Sequence, residues 1–363
     1  MEKKGGWTML RRCCILFIML LMLPIAALAQ PKTAPYDLNL SICYAQLGTQ
    51  EQALFDLLYD AAYNGQNDVV LPESTPYDTV STLLSTLIRD FPELCALDHS
   101  WTVQYYADDP EHAVSVVFSY VRPVSDQGRL AAFAHAAAVQ AQGDAFAREL
   151  QLYDALCARV TYADGENAHT AYGALMEGRA VCDGYAGALA LLLRMSGIPA
   201  SVVSGMAYSE KENAWESHAW NIIALDDEYV LADAVWDDQP DGNAHWYLNL
   251  TDAQMAADHL PEDTLLLPAC CAPQLNWHAH MGGLIPAGAW QDAVRDAFCR
   301  LAHGETGISL RFAEAADYHA VMDDLTAVWD AYNASAAPED RLYGSLRWRF
   351  SLLQQCVLFS PGS

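Results

Sequence analysis

The spacing of apolar and polar positions changes along this chain, and each change of period marks a candidate element. Between Cys182 and Met195 nearly every residue is apolar or small, and the run halts at Ser196-Gly197-Ile198-Pro199. Glycine just past a last turn and proline beyond it are helix stops, and a helix apolar on all sides is a buried one. The pattern predicts a central buried helix with Cys182 at its N-terminus. Ser217 to Leu225 and Glu228 to Asp233 read instead as strands, separated by Asp226-Asp227. A two-residue hairpin turn there would pair Leu225 with Glu228 and, counting back, Trp220 with Asp233. His218 then shares a sheet face with Trp220 and stands diagonal to Asp233, roughly 7–8 Å away at the backbone. A slip of one residue would send Asp233 to the opposite face.

The flanking segments follow the same logic. Upstream, helices are expected over Thr49 to Asn64 and Pro76 to Arg89, with strands over Trp101 to Tyr106 and Ala113 to Tyr120. Two helical stretches then lead inward, one from Arg129 to Gln142 and one capped by Asp144 that runs through Cys157. Downstream, Asp237, Asp238, Asp241 and Gly242 read as a solvated acidic loop, and Met281 to Pro286 as a linker. The tail alternates helices (Trp290 to Ala302, Ala313 to Tyr332) with strands (Ile308 to Phe312, Leu346 to Leu358). The expected class is α+β, with a central helix packed on an antiparallel sheet and smaller α/β regions on either side. The expected division is 1–29 as a targeting segment, 30–125, a central domain at 126–280, and 287–363.

Three residues carry the chemistry. Unpaired N–H groups and the positive end of the helix dipole favour a thiolate at Cys182, and the same N–H groups suit a developing oxyanion. The charges of Glu177 and Asp183 oppose the thiolate. Taken singly, a buried cysteine is often inert and a strand histidine often packs in a core. Together, Cys182, His218 and Asp233 read as nucleophile, general base and base-orienting carboxylate on successive elements.

This constellation resembles the transglutaminase-like superfamily, circularly permuted relatives of papain-type cysteine proteases. The resemblance rests on Cys182-Asp-Gly-Tyr-Ala186, Gly197-Ile-Pro199, Ser204-Gly205, His218-Ala-Trp-Asn221 and Asp233-Ala-Val-Trp-Asp-Asp238. Tyr172-Gly-Ala-Leu175 and Trp246-Tyr-Leu248 fit bacterial members, and Ile88 to Leu94 resembles part of the region that precedes this domain in them. Asp227 departs from the glycine often found in the hairpin turn. The resemblance implies acyl transfer through a thioester on peptide bonds or glutamine side-chain amides, by hydrolysis or by transfer to an amine. It also implies a protein or peptide substrate, cell-wall peptide among the admissible ones. The competing reading is a catalytically silent surface-binding or scaffold protein with the same fold. Trp220, Trp236 and Tyr185 are candidate substrate contacts, core packing being the competing role for the tryptophans.

Compartment and partners follow from the ends and the charge. Lys3, Lys4, Arg11 and Arg12 precede an apolar run from Cys13 to Ala29 that ends Ala27-Leu28-Ala29, the three-part pattern of a secretory signal peptide with cleavage before Gln30. A secreted or cell-surface location is therefore expected, with no membrane association beyond that peptide. The net charge of −27 repels nucleic acid and anionic surfaces. Beyond the peptide lie Cys43, Cys95, Cys157, Cys182, Cys270, Cys271, Cys299 and Cys356, an odd number once Cys182 is set aside, so pairing is open. His245, His259, His278 and His280 lack ligand spacing, and no metal or cofactor is expected.

Overall fold

The computed structural model describes residues 33–209, 212–239, 242–262 and 267–362; the expected signal peptide at 1–29 lies outside them. The central helix, α5 (Cys182–Met195), begins and ends where the apolar run does. Eleven of its residues are buried, and Leu189, Leu191 and Leu193 are completely enclosed. Its first turn seats tightly against the preceding loop, since a Cβ at Gly184 would meet the Ala168 carbonyl oxygen at 2.4 Å. Helix α5 packs on β4 (Ala200–Ser209) and β5 (Ala214–Leu225), which with β6 (Glu228–Ala232) and β7 (His259–Pro261) form an antiparallel sheet in the order β6-β5-β4-β7. Helices α3 (Ser125–Ala138) and α4 (Ala145–Arg159) cover the other side of α5. Asp144 caps α4, accepting from the Ala147 N–H at 2.9 Å.

The β5–β6 register is the one anticipated: Leu225 pairs with Glu228 and Asn221 with Ala232. Asp226 and Asp227 both take the left-handed conformation, φ 50° and 65°, so two aspartates make the turn that more often carries glycine.

Two further hydrophobic clusters flank the centre. In the N-terminal one, α1 (Thr49–Asn64) and α2 (Tyr77–Asp90) pack on a sheet of β1 (Asp68–Pro76), β2 (Leu97–Tyr106) and β3 (Asp109–Tyr120), ordered β1-β3-β2. Strand β1 escaped the sequence reading because Pro72 and Pro76 interrupt its pattern. It survives as an edge strand whose register shifts between Val70 and Thr75, the position where proline is tolerated. In the C-terminal cluster, α7 (Trp290–Ala302) and α8 (Ala315–Ser335) cover β8 (Leu284–Ile285), β9 (Ile308–Phe312), β10 (Leu346–Ser351) and β11 (Cys356–Pro361). The presumed linker at 281–286 is thus corrected: Leu284 and Ile285 form a parallel edge strand on β9. The expected tail strand over Leu346 to Leu358 is two strands joined as a hairpin.

Buried polar contacts lock the flanks to the centre. Asp90, at the end of α2, pairs with Arg194 of α5 at 2.7 Å with both side chains fully enclosed. The same carboxylate accepts from the Val202 N–H at 2.7 Å, from Ser201 Oγ at 2.9 Å, and from Ser41 Oγ. On the other side, Arg311 donates to the Trp246 carbonyl at 2.5 Å, and Trp246 Nε1 donates to Ser309 Oγ at 2.9 Å. The expected solvated acidic loop needs correction at Asp237, while Asp241 lies outside the described residues. Asp237 is buried and accepts from the N–H groups of Trp246 and Tyr247 and the Tyr153 hydroxyl, while burial pushes its carboxyl up to about 6.

Glu149 on α4 is buried with one carboxyl oxygen facing Asn249 Nδ2 at 2.8 Å and the other without a partner. Burial pushes it up to about 8, despite the Asn249 bond that lowers it. A raised acid favours the fold most below its unfolded value of ~4.3, and that contribution is lost as pH rises through the folded value, at roughly 1.4 kcal/mol per pH unit. Glu149→Gln should therefore leave Tm unchanged near pH 4 and raise it near pH 8, as thermal melts across that range will show.

Candidate active site

The hairpin register delivers His218 and Asp233 to each other. His218 Nε2 lies 2.6 Å from Asp233 Oδ2, and both side chains are almost fully enclosed. Asp233 sits where β6 ends and caps the short helix α6 (Ala234–Asp237), its Oδ1 accepting from the N–H groups of Val235 at 2.9 Å and Trp236 at 3.3 Å. One carboxylate oxygen thus anchors the backbone while the other holds the imidazole. Burial works against a charged His218, but Asp233, aided by the nearby Cys182, overcomes it and pushes the ring up to about 10. Burial likewise opposes an ionised Asp233, and His218 and His259 together hold its carboxyl well below the usual range.

Cys182 is the first residue of α5, half-buried and unbridged. It packs against Ala186, Ala190, Val202 and Ala219, the last being the strand neighbour of His218. The first helical hydrogen bond runs from the Tyr185 N–H to the Val181 carbonyl, so the N–H groups of Cys182, Asp183 and Gly184 have no helical acceptor. The thiol helps the His218 ring hold its proton, and its sulfur lies 4.0 Å from Asp183 Oδ1. With Nε2 engaged by Asp233, Nδ1 is the ring nitrogen left to serve a thiol. The resting arrangement is a closed His–Asp pair with the thiol beside it, and hydrogen bonds in active sites often tighten only when substrate is bound.

The three candidate substrate contacts divide. Trp220 and Tyr185 are each 1% exposed; Trp220 lies under the His218 ring and Tyr185 bonds Asp238 Oδ2 at 2.5 Å and the Val160 carbonyl at 3.0 Å. Their burial favours the packing role over direct substrate contact. Trp236 instead lines a cavity of about 610 Å³ over His218, together with Tyr162, Glu216, Tyr247 and, from the C-terminal hairpin, Arg349 and Phe350. Sequence reasoning had no means to join residues 349–350 to this site.

It also missed His259. That ring is buried with Nε2 3.2 Å from Asp233 Oδ2. The other histidines that looked scattered have separate partners: His245 meets Asp154 at 2.7 Å, His278 meets Ser309 at 2.9 Å, and His280 stacks on Phe146. The nearest thing to a metal-ligand group at the site is His218, Asp233 and His259, whose donor atoms lie within 4.8 Å. Those atoms are already committed to hydrogen bonds with one another. A second group, Cys299, His303 and Asp340, lies in the C-terminal module and also offers one ligand atom apiece within 4.8 Å of one another.

The profile of the transglutaminase-like superfamily matches residues 131–234, which include Cys182, His218 and Asp233. This chain carries a transglutaminase-like superfamily domain. Similar solved structures include a protein from Cytophaga hutchinsonii provisionally designated a cysteine protease, 18% identical over 37% of this chain and 61% of that one, with a TM-score of 0.25. A structure described as a TGase is 11% identical over 48% of this chain and 51% of that one, TM-score 0.28. The periplasmic domain of TgpA from Pseudomonas aeruginosa is 17% identical over 47% of this chain and 68% of that one, TM-score 0.24. The chain thus spans about half to two-thirds of the length of these proteins. No curated protein matches it. Among the described residues no helix is long and apolar enough to cross a membrane.

Asp233→Asn keeps an oxygen to cap α6 and removes the charge that holds the His218 proton. The His218 titration midpoint should fall by roughly 1–3 pH units, read by NMR of histidine ring nitrogens. Because the raised His218 favours the fold below its unfolded value and loses that contribution as pH rises through about 10, the variant should also be less stable at neutral pH.

Proposed function

We propose that this chain is a cysteine-dependent acyl-transfer enzyme acting outside the cytoplasm on peptide or glutamine side-chain amides. The observation that carries the reading is the buried His218–Asp233 pair at 2.6 Å, set beside a helix-terminal cysteine within a transglutaminase-like domain. In this reading the Cys182 proton already rests on His218 Nδ1, the sulfur attacks the amide carbonyl as a thiolate, and the first-turn N–H groups of α5 receive the oxyanion. His218 then protonates the departing amine, leaving a thioester that water or a second amine resolves. Asp233 fixes the ring and balances the imidazolium without taking the proton itself. The cavity shared by Trp236 and the C-terminal hairpin supports an extended peptide chain as substrate, cell-wall peptides included. Export rests on the signal-peptide pattern at 1–29.

A second reading draws on one observation: the Cys182 sulfur lies 4.0 Å from the Asp183 carboxylate, a negative neighbour that opposes a thiolate. That arrangement would suit a protein that kept the fold for binding.

Alkylation of Cys182 separates the two. A free thiol near pKa 8.5 is only about 3% thiolate at pH 7, so an activated one has up to roughly 30-fold to gain. Iodoacetamide should label the purified protein at Cys182 fast at pH 7, with the rate falling about 10- to 30-fold in His218→Ala. A Cys182 that labels no faster than a free peptide thiol, with or without His218, favours the binding reading. Fast labelling would be followed by mass-spectrometric screening of peptides with and without an added amine.

A further inference from the structure

Asp233 holds two histidines. His259 opens the edge strand β7, completely enclosed, with Nε2 3.2 Å from Asp233 Oδ2 and Nδ1 2.6 Å from Asp258 Oδ1. An ionised carboxylate only accepts hydrogen bonds, and a neutral imidazole has one N–H to give. Two carboxylates flanking one ring are therefore satisfied together by an imidazolium. Burial opposes that charge, and the hydrogen bonds to Asp233 and Asp258 more than offset it, so the ring holds its proton above the ordinary imidazole range.

The groups facing His259 come from every neighbouring element. His218 approaches from β5 with ring centroids 5.5 Å apart, and Asp233 from the end of β6. Tyr247 donates to Asp258 Oδ2 at 2.8 Å, and Gln354 of the C-terminal hairpin donates to the same oxygen at 3.0 Å. Strand β4 contributes only its backbone, through Ala207. The Trp220 and Trp236 rings wall the site at 4.9 and 4.6 Å. Close approach of β7 requires glycine opposite it: a Cβ at Gly205 would meet the Leu260 carbonyl oxygen at 2.2 Å.

We propose that His259, clamped as an imidazolium between Asp233 and Asp258, is a positioning residue for the His218–Asp233 pair, with Gln354 anchoring the far end of the chain. Its hydrogen bond fixes which edge of the Asp233 carboxylate is offered to His218. Its charge offsets part of the carboxylate's field, so the His218 proton is held firmly but can still be given up. The catalytic consequence rests on the function proposed above; the charge arrangement does not.

The test begins with the unaltered protein, labelled with ¹⁵N at histidine. Both His259 nitrogens should carry protons at pH 7, above the ordinary imidazole midpoint; a neutral ring there overturns the proposal, whether or not any variant folds. Asp258→Asn, which touches neither His218 nor Asp233, should lower the His259 midpoint by at least ~1 pH unit. His259→Gln removes the nearby positive charge, so the His218 midpoint should rise by at least ~0.5 pH unit. The alkaline limb of Cys182 alkylation should move with it. An unchanged His218 midpoint in a folded His259→Gln protein would reduce His259 to a space-filling role. Absence of activated alkylation in the unaltered protein would instead count against the enzyme reading, with the two histidine titrations still deciding this one.

Discussion

The Asp233 carboxylate is the point on which the site turns. It is buried, ionised, and saturated: one oxygen accepts two backbone N–H groups of α6 and the other faces His218 and His259. A carboxylate taken out of water is costly unless its lone pairs are met by donors and its charge is balanced. Here both requirements are met by groups from three different elements, α6, β5 and β7. Because the capping bonds hold the carboxylate rigidly to the backbone, the imidazole it orients inherits that rigidity.

The surrounding fold supplies the enclosure. Helix α5 and the sheet bring Cys182 and His218 to one edge, and the flanking modules are fastened by buried polar contacts. Asp90 with Arg194 ties the N-terminal module to α5 and β4, the two elements that frame the thiol. Arg311, Ser309 and Gln354 tie the C-terminal module to the segment that follows Asp233. Paired charges of this kind add little net stability compared with apolar packing, but losing one partner strands a buried charge. They specify how the modules meet. The C-terminal hairpin then takes part in the site in two ways, as a wall of the cavity over His218 and as a hydrogen-bond donor to Asp258.

Much of the centre was legible from sequence because its information is local. The apolar run and its Gly–Pro stop fixed α5 to the residue, and the length of the Asp226-Asp227 turn set the register that brings His218 to Asp233. Where local signals conflict, the reading failed. Strand β1 is broken by prolines, and Met281 to Pro286 looks like a linker because its glycines signal a turn; tertiary contact with β9 makes part of it a strand. Asp237 looked solvated because aspartates cluster beside it, yet it is buried and accepts the N–H groups of Trp246 and Tyr247.

By itself, then, the sequence determined the central helix with Cys182 at its start, the hairpin, and the pairing of His218 with Asp233, since period, stop signals and turn length act over a few residues. Only the tertiary structure decided that Trp220 and Tyr185 are buried and that Trp236 lines the cavity. It alone brought Phe350 to the cleft and His259 to Asp233. These placements depend on which surfaces pack together across long stretches of chain, and no spacing between nearby residues encodes that. A histidine 26 residues beyond Asp233 carries no local mark of its partner, because that partnership exists only once β7 has paired with β4.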